Sequence, residues 1–414
     1  MNKFLTLFER YGLIFVLFYC LGLLTSDFSQ NTTLLDADLD IKIDSRSTEN
    51  VFKQLFWITL FLLYVLSAVK TKMHIVILKH YKGLLLSVSI VILLCFASLL
   101  WSKYPGVTLK RSFFQLILIF VIGASAYFSV KRSSFSKCIN IVTYVFFGAS
   151  IFSIILGTGF DGNTFSAWES SKNNYGAAAF FLILMQALSH RFYPQPLIKY
   201  LRTNVALFGF LLLSISKTSI VLCVLFFLGK NLRQFESKIL MRVIIASIAG
   251  IFVVPLLLSN LLGGSWSIAS AIDLDALTGR GFIWSVAYKD LEENAKLLFG
   301  YGYGAYFNAG EIPDAFNIEF SFLQYINSAH NGFLELMLQL GTPITFLIIG
   351  LIARLASKTK DSLCYLIVGI LFLFNITESA FLRDTHIVWC ALLYVIFIGT
   401  FCSKPIGKLT NTSN

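Results

Sequence analysis

The chain is short of charge. Asp, Glu, Lys and Arg make up 13% of its 414 residues, where a soluble protein carries about a quarter. With 57% hydrophobic residues and a mean hydropathy of +0.75, this excludes an ordinary soluble domain and leaves a polytopic membrane protein. Polar loops lack cysteine: Cys20, Cys95, Cys138, Cys223, Cys364, Cys390 and Cys402 all fall in apolar runs or at their ends. That excludes a disulfide framework and a metal-ligand spacing. No Gly-Lys-Ser/Thr follows the glycine-rich Gly300–Gly304, so it is a turn and not a phosphate loop. Two Asp-x-Asp strings, Asp38-Leu39-Asp40 and Asp273-Leu274-Asp275, have no strand–helix alternation around them and do not read as a metal-dependent nucleotide-sugar site. There is no fixed-period repeat and no low-complexity segment.

What is present is a series of apolar runs, at roughly 8–25, 51–69, 83–101, 108–129, 138–157, 173–190, 203–215, 218–229, 239–260, 331–353, 362–380 and 386–402. They predict about twelve transmembrane helices in an all-α protein. The first run follows Lys3 and Arg10 like a signal peptide, but no small-residue cleavage site follows, so it reads as an uncleaved span. Runs seven and eight are separated by Ser216-Lys217 alone. Two spans are preferred there, because a lysine in mid-bilayer usually lines a cavity or marks a break.

The net charge of +11 does not point to nucleic acid, because the basic residues sit in short clusters between apolar runs. Placing both termini in the cytoplasm puts 21 of 33 basic residues inside and 12 outside, with 3 of 22 acidic residues inside. The Lys/Arg bias agrees at every inner connection. Merging spans seven and eight would reverse everything after them. The predicted organisation is then helices 1–9 over residues 1–260 with an acidic outer loop at 26–50, one large outer loop at 261–329, and helices 10–12 over 330–414. Within the large loop, 280–299 reads as an amphipathic helix, with Ile283, Val286, Ala287, Leu291, Ala295 and Leu298 on one face and Asp290, Glu292 and Glu293 mostly facing away. Gly300 is its expected stop. Arg280 and Trp284 share a face.

The chemistry-bearing residues concentrate between 278 and 334. Only His330 and His386, of five histidines, fall at the predicted outer face. His330 opens the tenth span, and Asn331, Glu335 and Gln339 continue as a polar stripe into it. Two readings stand: His330 caps the helix and the stripe packs internally, or the stripe faces a water-filled cavity. Lys217, among Ser214, Ser216, Thr218 and Ser219, is either interfacial or part of a polar pocket. Lys172 reads as an interfacial anchor, and Arg280 alone as a solvated loop residue. A cation and a titratable base beside a bilayer are nonetheless what a lipid-linked diphosphate substrate requires.

These residues carry a resemblance. Trp101-Ser102-Lys103-Tyr104-Pro105 leads Thr108-Leu109-Lys110-Arg111. Ser171-Lys172-Asn173-Asn174-Tyr175-Gly176 resembles His-Lys-Asn-x-x-Gly, with Ser171 where histidine is usual. Ser214-Ile215-Ser216-Lys217-Thr218 resembles Ser-x-Ser-Arg/Lys-Thr. Thr278-Gly279-Arg280 through Trp284, Gly300–Gly304, and Ala329-His330-Asn331-Gly332 with Gly341 follow in order, and Asn375-Ile376-Thr377-Glu378-Ser379 resembles Asn-x-Thr-Glu-Ser. Over about 95–390 the chain resembles the O-antigen ligase and polysaccharide polymerase superfamily, most of all its exopolysaccharide-production polymerases.

The resemblance implies a GT-C-like membrane glycosyltransferase of the bacterial inner membrane, with a periplasmic loop. It implies inverting, metal-independent transfer of a glycan from undecaprenyl diphosphate, with no cofactor. His330 would be the base, Arg280 and Lys217 the cations for the diphosphate, and Lys172, Asn331, Glu335 and Trp284 substrate-binding residues. Glu335 or Asn331 would orient His330. The implied partners are the lipid-linked oligosaccharide, a lipid-linked or lipid A–core acceptor and the bilayer, with a chain-length regulator as a further partner. A polymerase is the leading expectation, a ligase to lipid A–core its rival. A lipid-linked glycan flippase is the third reading; such transporters typically show paired internal repeats, and none is visible here.

Overall fold

The computed structural model describes residues 2–24, 51–231, 238, 241, 242, 245, 276–317, 323 and 326–403. The acidic loop 26–50, the ninth predicted span apart from three positions, and both Asp-x-Asp strings lie outside them. The described residues are mostly helical: α1 (Asn2–Cys20), α2 (Val51–Lys70), α3 (Met73–His80), α4 (Lys82–Ala97), α5 (Pro105–Lys131), α6 (Phe135–Ile155), α7 (Lys172–Phe192), α8 (Leu197–Ser214), α9 (Lys217–Asn231), α10 (Ala276–Glu293), α11 (Gly332–Leu340), α12 (Thr342–Lys358), α13 (Ser362–Thr377) and α14 (Ile387–Ser403). Between α6 and α7 a two-stranded antiparallel hairpin pairs Phe160 with Phe165 and Asp161 with Thr164.

Five segments are long and apolar enough to cross a membrane: Val51–Lys70, Lys82–Leu100, Pro105–Lys131, Phe135–Ile155 and Leu197–Ser214. α13 and α14 are equally apolar but shorter. The packing has the layering a bilayer imposes. α7, α13 and α14 are buried along nearly their whole length. The peripheral helices turn large apolar side chains outward, as α2 does with Val51, Leu55, Leu62 and Leu66. A stripe of exposed leucines and valines would be an aggregation face in water and is the expected surface against lipid tails. The protein is a membrane protein.

The connections between helices gather at two ends of the bundle. At one end Arg132 pairs with Glu9, and Arg191 Nε lies 2.8 Å from Asp361 Oδ2. Asp361 also caps α13 by accepting from the Leu363 and Cys364 N–H groups. At the other end lie the hairpin, the α8–α9 turn, α10 and α11, and the segment after α13.

The α8–α9 junction is a reversal of the chain. Ile215 adopts a left-handed backbone (φ 53°), Ser216 N–H donates to Ser214 Oγ at 3.2 Å, and the returning Lys230 Nζ reaches Tyr200 OH at 2.7 Å. The two-helix reading of this region therefore matches the structure. α8 begins at Leu197, six residues before the predicted 203.

The tenth predicted span, 331–353, is not one helix. It breaks at Gly341 (φ 81°) into α11 and α12, because the chain after α10 packs into the break. Tyr301 N–H and Gly302 N–H donate to the Leu338 and Gln339 carbonyls, and Thr342 N–H donates to the Leu297 carbonyl. These bonds satisfy carbonyls that a helix end leaves unpaired. A Cβ at Gly341 would lie 2.1 Å from the Leu298 oxygen, so the crossing requires glycine there. The glycine-rich run is thus a turn, as expected, and it caps the end of α11. Arg111 holds the same loop by donating to the carbonyls of Gly304, Phe307 (3.1 Å) and Asn308 (2.6 Å).

α10 spans 276–293 instead of 280–299, and its stop is Ala295, not Gly300. Ala295 is left-handed (φ 53°); its N–H bonds to Glu292 O, and Lys296 N–H to Leu291 O. This is the paired helix-ending motif normally built on glycine. A left-handed non-glycine residue costs roughly 1–2 kcal/mol, so Ala295→Gly is expected to stabilise the protein by about 1 kcal/mol, read as a higher melting temperature in detergent. Asp290, expected to face away, is buried at 8% exposure, because Tyr306 OH donates to its Oδ2 at 2.8 Å.

Candidate functional site

The segment after α13 and the segment before α11 meet α10 at one point. Arg280, on α10, donates to the Thr377 carbonyl, and its Nη2 lies 2.7 Å from Glu378 Oε1. The other Glu378 oxygen faces His330 Nδ1 at 3.5 Å, the long end of the hydrogen-bond range. One carboxylate therefore stands between the arginine and the histidine. The Arg280 and Glu378 side chains are 18% and 16% exposed, and His330 is 35% exposed. Burial opposes the charge on Glu378, but the His330 hydrogen bond and the Arg280 charge outweigh it and hold its carboxyl below the ordinary 4.5.

Each member is placed by local backbone chemistry. Asn331 caps α11, its Oδ1 accepting from Phe333 N–H (3.0 Å) and Leu334 N–H (3.2 Å). His330 precedes that cap in a left-handed conformation (φ 47°), a region where histidine and asparagine are tolerated better than most side chains. Trp284, one turn from Arg280, donates its indole N–H to the Ala329 carbonyl at 3.0 Å, so the two share a face as expected and both reach toward His330. Asn375 Oδ1 accepts from Ala380 N–H and Phe381 N–H, turning the chain back after Glu378. Gly332 sits directly against Asn375: a Cβ there would lie 1.9 Å from Asn375 Oδ1.

Two expected substrate-binding residues are enclosed. Asn331 is 4% exposed and Glu335 7%. Glu335 Oε2 accepts from Ala329 N–H at 2.7 Å and Ser379 OH at 3.3 Å, and its Oε1 accepts from Gln339 at 3.2 Å. Gln339 in turn accepts from Gly304 N–H at 3.1 Å. Among the described residues the polar stripe is therefore satisfied internally. No hydrogen bond among the described residues joins Glu335 or Asn331 to the His330 ring; Glu378 occupies that position. Sequence reasoning passed over Glu378 as a site residue, although it lies within the Asn-x-Thr-Glu-Ser string already singled out.

Lys217 and Lys172 are exposed and open their helices. Both belong to the same end of the bundle. Ser171 caps α7, accepting from Asn174 N–H at 3.2 Å. A Cβ at Gly176, one turn past Lys172, would lie 2.4 Å from Ser216 Cβ, so the two strings interlock.

The level of Lys217 follows from α9 packing against α13. Gly229 meets the Leu366 side chain. Twelve residues back along α9 is Lys217, and twelve forward along α13 is Glu378. Over twelve residues each helix rises about 18 Å, which brings Lys217 and Glu378 to the same height. No ion pair among the described residues engages Lys217, whereas Arg280 is already paired. The two expected cations are thus unequal. No group of three or more His, Cys, Asp or Glu side chains placed to hold a metal occurs among the described residues.

Residues 203–349 match the O-antigen ligase family. No curated protein matches the chain. The matched segment holds Lys217, Arg280, Trp284, the glycine-rich loop, His330 and Gly341, while Lys172 and Glu378 lie on either side of it. Residues 203–349 are thus similar to the O-antigen ligase family, within a chain whose apolar helices are those of a membrane protein.

Glu169, just before the α7 cap, is a half-buried carboxyl at this same end. Its Oε1 would lie 2.7 Å from a Cβ at Gly22, and burial pushes its carboxyl up to about 7 from the ordinary 4.5. A raised folded-state value destabilises the fold as pH rises. The penalty is absent below 4.5, grows between 4.5 and about 7, and is complete above that, where it reaches roughly 3 kcal/mol at most. Glu169→Gln is expected to raise the melting temperature at pH 8 and to leave it unchanged at pH 4.5.

Proposed function

We propose that this protein is a glycosyltransferase of the bacterial inner membrane that polymerises a surface polysaccharide from glycans carried on undecaprenyl diphosphate, with the site end facing the periplasm, both termini in the cytoplasm and about twelve spans. The observation that carries the proposal is the Arg280–Glu378–His330 contact, level with Lys217, at one end of an apolar helical bundle.

The chemistry is a single displacement with inversion. The acceptor sugar hydroxyl attacks the anomeric carbon of the donor. The bond from that carbon to the diphosphate oxygen breaks as the new glycosidic bond forms. A His330 ring that donates its Nδ1 proton to Glu378 presents Nε2 as a lone pair, and Nε2 takes the hydroxyl proton. The leaving diphosphate gains charge at a low-dielectric boundary, where fixed cations act most strongly. Lys217 supplies a mobile ammonium. Arg280 is held by Glu378 through part of its guanidinium and turns its remaining N–H donors to the phosphate. These two cations take the developing charge in place of a divalent metal. Trp284 and Lys172 flank the site, Trp284 on the Arg280 face and Lys172 on the Lys217 side.

A ligase that moves the glycan to lipid A–core shares every one of these donor steps, and the description of the matched family favours it as the second reading. Disrupting the gene and resolving surface glycans on gels separates the two. Polymerase loss leaves single repeat units, and ligase loss leaves full-length chains on the lipid carrier. Unchanged surface glycans would reject both.

A further inference from the structure

A cavity of about 240 Å³ lies between the 103–104 segment, the end of α10, the glycine-rich loop and residues 311–314. Two cross-links close it. Tyr104 OH donates to Glu311 Oε2 at 2.7 Å, and Lys103 Nζ lies 3.6 Å from Asp314 Oδ2. Its walls combine two kinds of group. Tyr301 presents a partly exposed ring, with Lys296 Nζ 5.5 Å from its centroid and the buried Tyr306 ring 4.9 Å away behind it, tilted by 48°. Asn294, Glu311 and Lys296 supply acceptors and donors along the rim, with Asp290 behind them, its carboxylate accepting from Tyr306 and Asn294.

This composition selects among ligands. Three carboxylates against two lysines disfavour a phosphate or any other anion. An apolar peptide would need an apolar lining, and this cavity has few aliphatic side chains. A sugar ring fits both features: its C–H face packs on an aromatic ring, and its hydroxyls donate to carboxylates and accept from amide and ammonium groups.

The position is also informative. Asp290 lies ten residues beyond Arg280 on α10, about 15 Å along one helix. The loop carrying Tyr301 caps the end of α11 opposite His330. The cavity is therefore one helix length from the reacting centre, too far for the reacting sugar and within reach of a later sugar on the same glycan.

Resting on the function proposed above, we propose that this cavity is a saccharide subsite that holds a non-reacting unit of the glycan and thereby sets how long the product grows. The test uses the purified full-length protein, with the oligosaccharide released by mild acid from the producing cell's own surface polysaccharide as probe and saturation-transfer NMR as readout. Glu311→Gln and Asn294→Ala change exposed side chains, and Tyr301→Ala removes the ring. Each is expected to weaken oligosaccharide binding at least fivefold and, in cells, to shift surface glycan toward shorter chains while transfer continues. His330→Ala is expected to bind the probe as wild type does.

Wild-type binding and unchanged chain length in all three variants would overturn the subsite. Competition by inorganic diphosphate would overturn its assignment to a sugar. Failure of the underlying function looks different: His330→Ala cells would keep their polymer, whatever the three subsite variants bind.

Discussion

His330→Ala is expected to abolish glycan transfer, with a loss of roughly 10²–10⁴-fold for the missing general base, while the protein still inserts and folds. The backbone makes a second variant useful. His330 sits at φ 47°, where alanine is strained and asparagine is tolerated. His330→Asn keeps that conformation and has no basic ring nitrogen, so it should be as inactive as alanine while melting closer to wild type. In vitro transfer rates with matched melting curves give the comparison. An active His330→Asn enzyme would remove the ring from the mechanism.

Glu378 gives the second large effect. It is the only carboxylate among the described residues that touches both Arg280 and His330. Glu378→Gln preserves shape and removes charge. It leaves Arg280 without its counter-charge and His330 without the group that fixes its tautomer, and a rate loss on the order of 10²-fold is expected. Glu378→Ala should add destabilisation of about 3 kcal/mol, because it strands a largely buried guanidinium. Arg280→Ala combined with Glu378→Ala should fall short of the summed single effects, by roughly 0.5–3 kcal/mol of coupling.

The pH dependence has a definite sign. The folded-state carboxyl is held below 4.5, so its contribution to stability is complete above that value and disappears as pH falls through the lower, folded value. Glu378→Gln should lack this acid-side loss, which melting curves between pH 3 and pH 6 would show.

Much of the architecture is readable from apolar periodicity, because a bilayer forces each crossing into a continuous helix. The polar break at Ser216-Lys217 is visible for the same reason: a lysine marks a helix boundary more readily than a mid-membrane position. The break at Gly341 is marked only by Gly341 and Pro343 inside an otherwise apolar run, and its cause, a distant upstream loop that caps α11, is not visible in the sequence. The early end of α10 escapes notice because Ala295 stands where a helix stop normally has glycine.

The site shows a similar division. Arg280, Trp284, Lys217 and His330 stand out as scarce polar groups beside apolar runs, and the structure gathers them at one end. Glu335 and Asn331 attract attention by the same scarcity, yet backbone N–H groups, with Ser379 and Gln339 at Glu335, take up their oxygens inside the fold. Glu378 is the reverse case. Its significance depends on a turn held by Asn375 that directs one carboxylate at two distant residues, and only the fold brings those three together.

The central claim is tested most directly by incubating the purified protein with an undecaprenyl-diphosphate-linked repeat unit and measuring the lipid diphosphate released together with the anomeric configuration of the product. The account predicts release of one undecaprenyl diphosphate for each new glycosidic bond, with inversion at the anomeric carbon, and no release by His330→Ala. Product with retained configuration, or release that continues in His330→Ala, would contradict it.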